Sequence, residues 1–91
     1  MIITFGTKET EKIFFCERVK KLPVHILQIG RRKLKMLHSS QSLLDIRIPP
    51  SNNLEKLKNS EFYSIRINDQ WRIIFKWKEG NLFEVEIIDY H

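Results

Sequence analysis

The last third of the chain alternates apolar and polar residues three times over, and that pattern leaves room for little besides an antiparallel sheet. Over residues 62–68, Tyr63, Ile65 and Ile67 share one side and Ser64, Arg66 and Asn68 the other, which is the period of a half-buried strand. Over 71–77, Trp71, Ile73, Phe75 and Trp77 stand opposite Arg72, Ile74 and Lys76; over 82–89, Phe83, Val85 and Ile87 stand opposite Glu84 and Glu86. The connectors Asn68-Asp69-Gln70 and Glu79-Gly80-Asn81 are short and turn-forming, so the three strands follow one another as hairpins. Such a meander has an apolar face to cover, and the first half of the chain must cover it.

That half reads as helical. Residues 2–5 make a short opening strand, with a turn at Gly6. Thr7 is placed to cap a helix reaching Val19, with Glu9 and Glu11 near its positive end and Lys20 and Lys21 closing it. Its apolar side is Ile13, Phe14, Phe15 and Val19. Pro23 opens a second helix that runs to His38; Leu27, Leu34 and Leu37 recur along one side, and Gly30 lets it lie close to a neighbour. Residues 39–53 are turn-rich, Pro49 and Pro50 exclude a central strand there, and residues 45–48 read as a short extended piece. The expected fold class is α+β, in the order β-α-α-β-β-β: an antiparallel sheet with the two N-terminal helices packed on one face. The other face stays partly open, and a substrate would lie there.

Ninety-one residues carry 16 Lys and Arg against 11 Asp and Glu, a net charge of +5. The length suits a single domain over residues 1–91 whose core buries only roughly 60% of the unfolded surface, and it argues against a large enzyme built around an enclosed cofactor. The basic balance points to a polyanionic partner. Cys16, the one cysteine, cannot form an internal disulfide, which suits a reducing cytoplasm. It reads as a core or half-buried position of the first helix. No run approaches the ~18 apolar residues of a membrane span, and the first ten residues lack the basic region of a signal peptide. Neither a glycine-rich phosphate loop nor a Cys/His cluster at metal-ligand spacing occurs, so no metal or other cofactor is expected.

What remains is equipment for phosphoryl transfer. Cleaving RNA through its own 2′-hydroxyl needs a proton acceptor, a proton donor for the leaving 5′-oxygen and a cation at the crowded phosphorus. Arg72 offers a planar fork in the middle strand. Lys58 stands just ahead of the meander, and Asp89, Tyr90 and His91 close it, where an imidazole near a carboxylate titrates close to neutrality. Each has an ordinary reading as well. Arg72, like Arg66 and Lys76, suits cross-strand pairing with Glu84 or Glu86; Lys58, His25 and His38 suit the surface. Arg31, Arg32, Lys33 and Lys35 crowd the second helix and serve equally as a solvated face or as a grip on an RNA backbone.

The string LEKLKNSEFYSIRINDQWRIIFKW and the closing VEIIDYH resemble the HigB-type toxins of bacterial type II toxin–antitoxin modules, within the RelE-like superfamily. The opening MIITFGTKETEKIF resembles their start, and the WR pair and the closing DYH are the most specific parts. The resemblance implies a small RelE-like domain acting as an mRNA interferase, a ribosome-dependent endonuclease. Such an enzyme cuts mRNA in the ribosomal A site by metal-independent 2′-hydroxyl attack. It implies a HigA-like helix-turn-helix antitoxin as partner, the 70S ribosome and mRNA as targets, operator DNA contacted only through the antitoxin, no membrane, and the bacterial cytoplasm as location. It carries over Lys58, Arg72, Asp89 and His91 as catalytic residues, with His91 as acid or base, and Tyr63 and Tyr90 as RNA-contacting aromatics. Under it, Arg31, Arg32, Lys33 and Lys35 meet ribosomal RNA or an acidic antitoxin. One position departs from the family: its LHxLK histidine is Glu55 here, in LEKLK, a carboxylate that can take a proton but repels phosphate. The departure keeps a second reading open, a catalytically weak or inactive toxin-like module that binds antitoxin and co-regulates its operon.

Overall fold

The computed structural model describes residues 1–90. Three helices, α1 (Lys8–Phe14), α2 (Val24–Ser39) and α3 (Leu43–Ile46), precede a single 3-10 turn at Pro50–Asn52. Four strands come next, β1 (Glu55–Lys56), β2 (Phe62–Arg66), β3 (Trp71–Lys78) and β4 (Asn81–Asp89), antiparallel and in sequence order across the sheet. The architecture is α+β, with the helices over one face.

Local chemistry sets the turns of the meander. The Asn68 side-chain oxygen accepts from the N–H groups of Gln70 and Trp71, at 2.9 and 2.8 Å, and so closes the β2–β3 connection. Glu79 and Gly80 both take left-handed conformations, φ 51° and 82°, between the paired Lys78 and Asn81. That is the two-residue hairpin whose twist matches its strands.

β4 departs from strict alternation. Its pairing with β3 shifts by one residue between Ile74↔Glu86 and Lys76↔Phe83. Glu84 supplies the extra residue as a bulge with φ 53°, its N–H donating to Thr4 Oγ1 at 2.8 Å. The slip sends Leu82 to the core beside Val85 and Ile87, and Phe83, expected there, to the opposite face with Lys76. Residues 2–5 run parallel to the outer edge of β4, Ile2 opposite Leu82 and Phe5 opposite Val85. The Ile3 N–H donates to the Leu82 carbonyl and the Gly6 N–H to the Val85 carbonyl, both at 2.8 Å.

Thr7 caps α1 by accepting from the Thr10 N–H, but the helix ends at Phe14 and not at Val19. The Glu17 N–H reaches back to the Lys12 carbonyl at 2.8 Å and the Cys16 N–H to the Ile13 carbonyl at 3.1 Å, with Cys16 left-handed at φ 62°. This is a Schellman ending. Cys16 therefore stands past the helix and is exposed, which corrects the core position expected for it. Residues 45–48 are likewise not extended. Ser42 and Asp45 form a reciprocal capping box that starts the single turn of α3.

The buried side of α2 is Ile26, Gly30, Leu34 and Leu37, with Leu27 only half-buried. A Cβ on Gly30 would lie 3.0 Å from Ile87 Cδ1, so the helix rests directly on the sheet. Ile13, Ile26, Leu34 and Leu37 pack into one cluster with Ile65, Ile73, Phe75, Leu82 and Val85, all fully buried, and each such side chain stabilises by ~1.5–3 kcal/mol. No helix among the described residues is long and apolar enough to cross a membrane.

Candidate functional site

With the helices on one face, strand register defines the other. Its rows are Arg66, Arg72 and Ile88; then Glu55, Ser64, Ile74 and Glu86; then Phe62, Lys76 and Phe83. Arg72 dominates the first row. Only 11% of its side chain is exposed, and its Nη1 lies 3.1 Å from Glu55 Oε1. Its Nη2 donates to the Asn53 carbonyl at 3.2 Å, and its Cζ lies 5.4 Å from the centre of the Tyr90 ring. Because Glu55 belongs to β1 and Arg72 to β3, the arginine lies across β2. The Ser64 hydroxyl and the Arg72 Nε are buried with no hydrogen-bond partner among the described residues. A guanidinium fork is thus held flat on the open face, and a carboxylate and a carbonyl fill the donor positions that two phosphate oxygens would use.

The expected site residues divide. Tyr90 joins Arg72. Asp89 pairs in register with Trp71, on the helix side of the sheet, and its Oδ2 accepts from Gln70 Nε2 at 3.1 Å, so it is not brought to the guanidinium. His91 lies outside the described residues. Lys58 occupies the exposed turn between β1 and β2, level with Glu61, because the Leu57 N–H already donates to the Phe62 carbonyl. From Glu61 to Arg66 is five residue steps, ~16 Å of backbone at ~3.3 Å per residue, a separation that the long Lys58 and Arg72 side chains shorten from both ends. Tyr63, expected among the RNA-contacting aromatics, stacks on Phe75 at 6.0 Å on the helix side, turned away from Arg72.

The basic run on α2 divides too. Lys33 is 6% exposed, and its Nζ donates to Asn52 Oδ1 at 2.7 Å and to the Arg66 carbonyl at 2.8 Å. Burial, reinforced by the charges of Arg32 and Arg66, pushes its pKa below the usual lysine value. The expectation that Lys33 grips a polyanion is corrected: its ammonium braces α2 to β2 and the 3-10 turn. Arg31 donates from Nε to the Ile13 carbonyl at 3.1 Å. Arg32 and Lys35 stay exposed in the helix layer, Lys35 lying 5.6 Å over the Phe14 ring. His25 is exposed, whereas His38 is half-buried and accepts the Ile2 N–H at Nδ1, 3.1 Å, so the surface reading fails for His38.

Asn52, Asn53 and Ser64 belong to these arrangements and escaped sequence reasoning. Buried Asn52 also donates to the Ile46 and Ile48 carbonyls, a role no local motif announces. Of the anticipated cross-strand ion pairs, Lys76–Glu84 forms at 2.7 Å; Arg66 instead pairs with Asp69 in the adjoining turn. Among the described residues, no three His, Cys, Asp or Glu side chains gather as a metal site would require.

Sequence comparison decides the family. The family model described as "RelE-like toxin of type II toxin-antitoxin system HigB" matches residues 4–91. The chain belongs to the HigB-like toxins. Among its relatives, Toxin HigB-1 of Vibrio cholerae is 36% identical over 83 residues, 88% of this chain and 87% of that protein. A Haemophilus influenzae protein described only as uncharacterized is 39% identical over 64 residues, 68% of this chain. The aligned part spans 63% of that protein's length. Membership makes the chain a toxin of a type II system, with an antitoxin as partner, in a group composed generally of endoribonucleases.

Proposed function

We propose that this HigB-like toxin is a ribosome-dependent mRNA endonuclease that cuts mRNA in the A site without a metal and so stops translation. The observation that carries this reading is Arg72, nearly buried, its fork already holding oxygen acceptors on the open face. The 2′-oxygen attacks phosphorus, the bond to the 5′-oxygen breaks, and the negative charge building on the phosphorane falls to Arg72. The products are a 2′,3′-cyclic phosphate and a 5′-hydroxyl. Glu55, beside the same fork, is within reach of the 2′-hydroxyl proton, and His91 is assigned the leaving oxygen. Asp89 acts through the strand end and not at phosphorus. Tyr90 offers an exposed ring to a base, and Lys58 supplies a second phosphate contact or a proton-transfer group. So sparse a set gains from a ribosome that fixes the mRNA in place. Neutralisation falls to a HigA-like antitoxin, which also carries the pair to operator DNA, in the bacterial cytoplasm.

The test is a defined mRNA incubated with the protein, with and without programmed 70S ribosomes, and new 5′ ends mapped by primer extension. Cuts are expected only with ribosomes, and Arg72→Ala should slow them by ~10²–10³-fold. Cuts in naked mRNA would refute ribosome dependence. The Glu55–Arg72 pair favours one second reading, a weak or inactive toxin whose fork is filled by its own carboxylate; no cutting under either condition would establish it.

A further inference from the structure

The open face continues past Arg72. Its far row, Phe62, Lys76 and Phe83, lies four residues along β3, ~13 Å away at ~3.3 Å per residue. A cleft of about 500 Å³ opens there, lined by Glu61, Lys76, Trp77, Lys78, Phe83 and Glu84. Lys76 is fixed in place. Its Nζ lies 2.7 Å from Glu84 Oε2, 3.6 Å from Glu61 Oε2, and 5.3 Å from the centre of the Phe62 ring. The ammonium thus covers Phe62, while Phe83 is left to line the cleft. Phe83 is there because of the bulge: strict alternation would bury it, and the extra residue at Glu84 turns it outward.

We propose that this cleft receives the base of an mRNA nucleotide a short reach along the strand from the phosphate at Arg72, and selects bases with an exocyclic amine over uracil. The proposal rests on the endonuclease reading for its substrate. Phe83 is the stacking platform, which any base can use. Glu61 and Glu84 accept amine protons, and Lys76 donates to a ring nitrogen or carbonyl. Glu61 and Glu84 offset Lys76 and Lys78, so the cleft has no net positive charge to draw a phosphate in, and the Phe83 ring favours a base. Cytosine presents an amine to those carboxylates where uracil presents a carbonyl, so the pair differ in sign at one group and hardly in size.

The experiment uses mRNAs that differ only as C or U, the difference scanned along the positions flanking the cut, on programmed ribosomes. At one position the wild type should cut the C message at least ~5-fold faster, the lower scale of one base-specific contact. Glu84→Gln, whose amide both donates and accepts, should level the two. Phe83→Ala should slow both by at least ~5-fold, the scale of a lost stack, with circular dichroism unchanged. Equal cutting at every position, or wild-type rates in Phe83→Ala, overturns the cleft. A second readout needs no cleavage: quenching of Trp77 emission in a Trp71→Phe background by short oligocytidylate against oligouridylate. Stronger quenching by oligocytidylate supports the cleft even where no mRNA is cut, which would sink the endonuclease reading alone. Equal or absent quenching overturns the cleft even where mRNA is cut.

Discussion

Glu55→Gln should tighten the grip on phosphate while weakening the fold. The carboxylate lies 3.1 Å from Arg72 Nη1, a separation worth ~5 kcal/mol of gross attraction at an effective dielectric of ~20. Half of the Glu55 side chain is exposed, so water returns most of that. The net contribution is ~1–2 kcal/mol, between an exposed ion pair and a charge-assisted hydrogen bond. A phosphate arriving at the fork must displace this pair. At ~1.4 kcal/mol per factor of ten, removing the charge should lower Kd by ~5–30-fold. The same change takes ~1 kcal/mol or more from the native state, and Tm should fall by ~4–8 °C per kcal/mol in a domain of this size. The assay titrates labelled protein onto 70S ribosomes programmed with an mRNA carrying a 2′-deoxy sugar at the cut, which binds but cannot react, with Tm read in parallel. Binding is the right readout because cleavage mixes in any proton transfer by Glu55. An unchanged or raised Kd in a folded variant would refute the idea that Glu55 competes with substrate for Arg72.

Lys33→Met removes two charge-assisted bonds, to Asn52 and to the Arg66 carbonyl, and should lose ~2–4 kcal/mol in urea unfolding. It should leave the salt dependence of ribosome binding alone, and a slope change near one would restore Lys33 as a phosphate contact. Because burial lowers its pKa, the native state binds fewer protons than the unfolded chain between the lowered value and 10.5. Lys33 therefore adds stability as pH rises through that window, and the difference between wild type and Lys33→Met should widen there; a constant difference would show that the ammonium is not desolvated. Arg32→Gln with Lys35→Gln should leave stability within ~0.5 kcal/mol and reduce the salt slope by about one per residue; an unchanged slope assigns both to solvent or antitoxin. Cys16→Gly should raise stability by ~1 kcal/mol by relieving a left-handed conformation in a residue with a Cβ, checked by thermal unfolding, and a loss would mean that the thiol makes a contact of its own.

The sheet was legible because period-two alternation and short turns specify a meander with little help from the rest of the chain. What alternation cannot encode is an inserted residue. Nothing about Glu84 announces φ 53°, yet that one angle decides whether Leu82 or Phe83 enters the core. The end of α1 was hidden for the same reason, since Cys16 takes a conformation that a glycine would have advertised. The start of α3 was available in the Ser42-to-Asp45 spacing and was masked by the surrounding turn formers. At the site, Arg72 stood out from its position on the polar side of a central strand. Its separation from Asp89 depends on register, which fixes Asp89 opposite Trp71. A run of four cations on one helix gives no hint that its third member turns inward. That depends on Asn52, nineteen residues away.

β4 joins segments far apart in sequence, for it lies between β3 on one side and residues 2–5 on the other. The Thr4 hydroxyl meets the Glu84 N–H across a separation of 80 residues. A growing chain emerging at ~5–20 residues per second therefore carries its opening segment unpaired until residues 81–89 have been made. Until then β3 has a bare edge and Ile2, Ile13 and Leu34 lack Leu82 and Val85 to close against. Contacts of such long range also form slowly. The outer edge of β3 and the opening segment thus close together, in one late step that waits for residues 81–89.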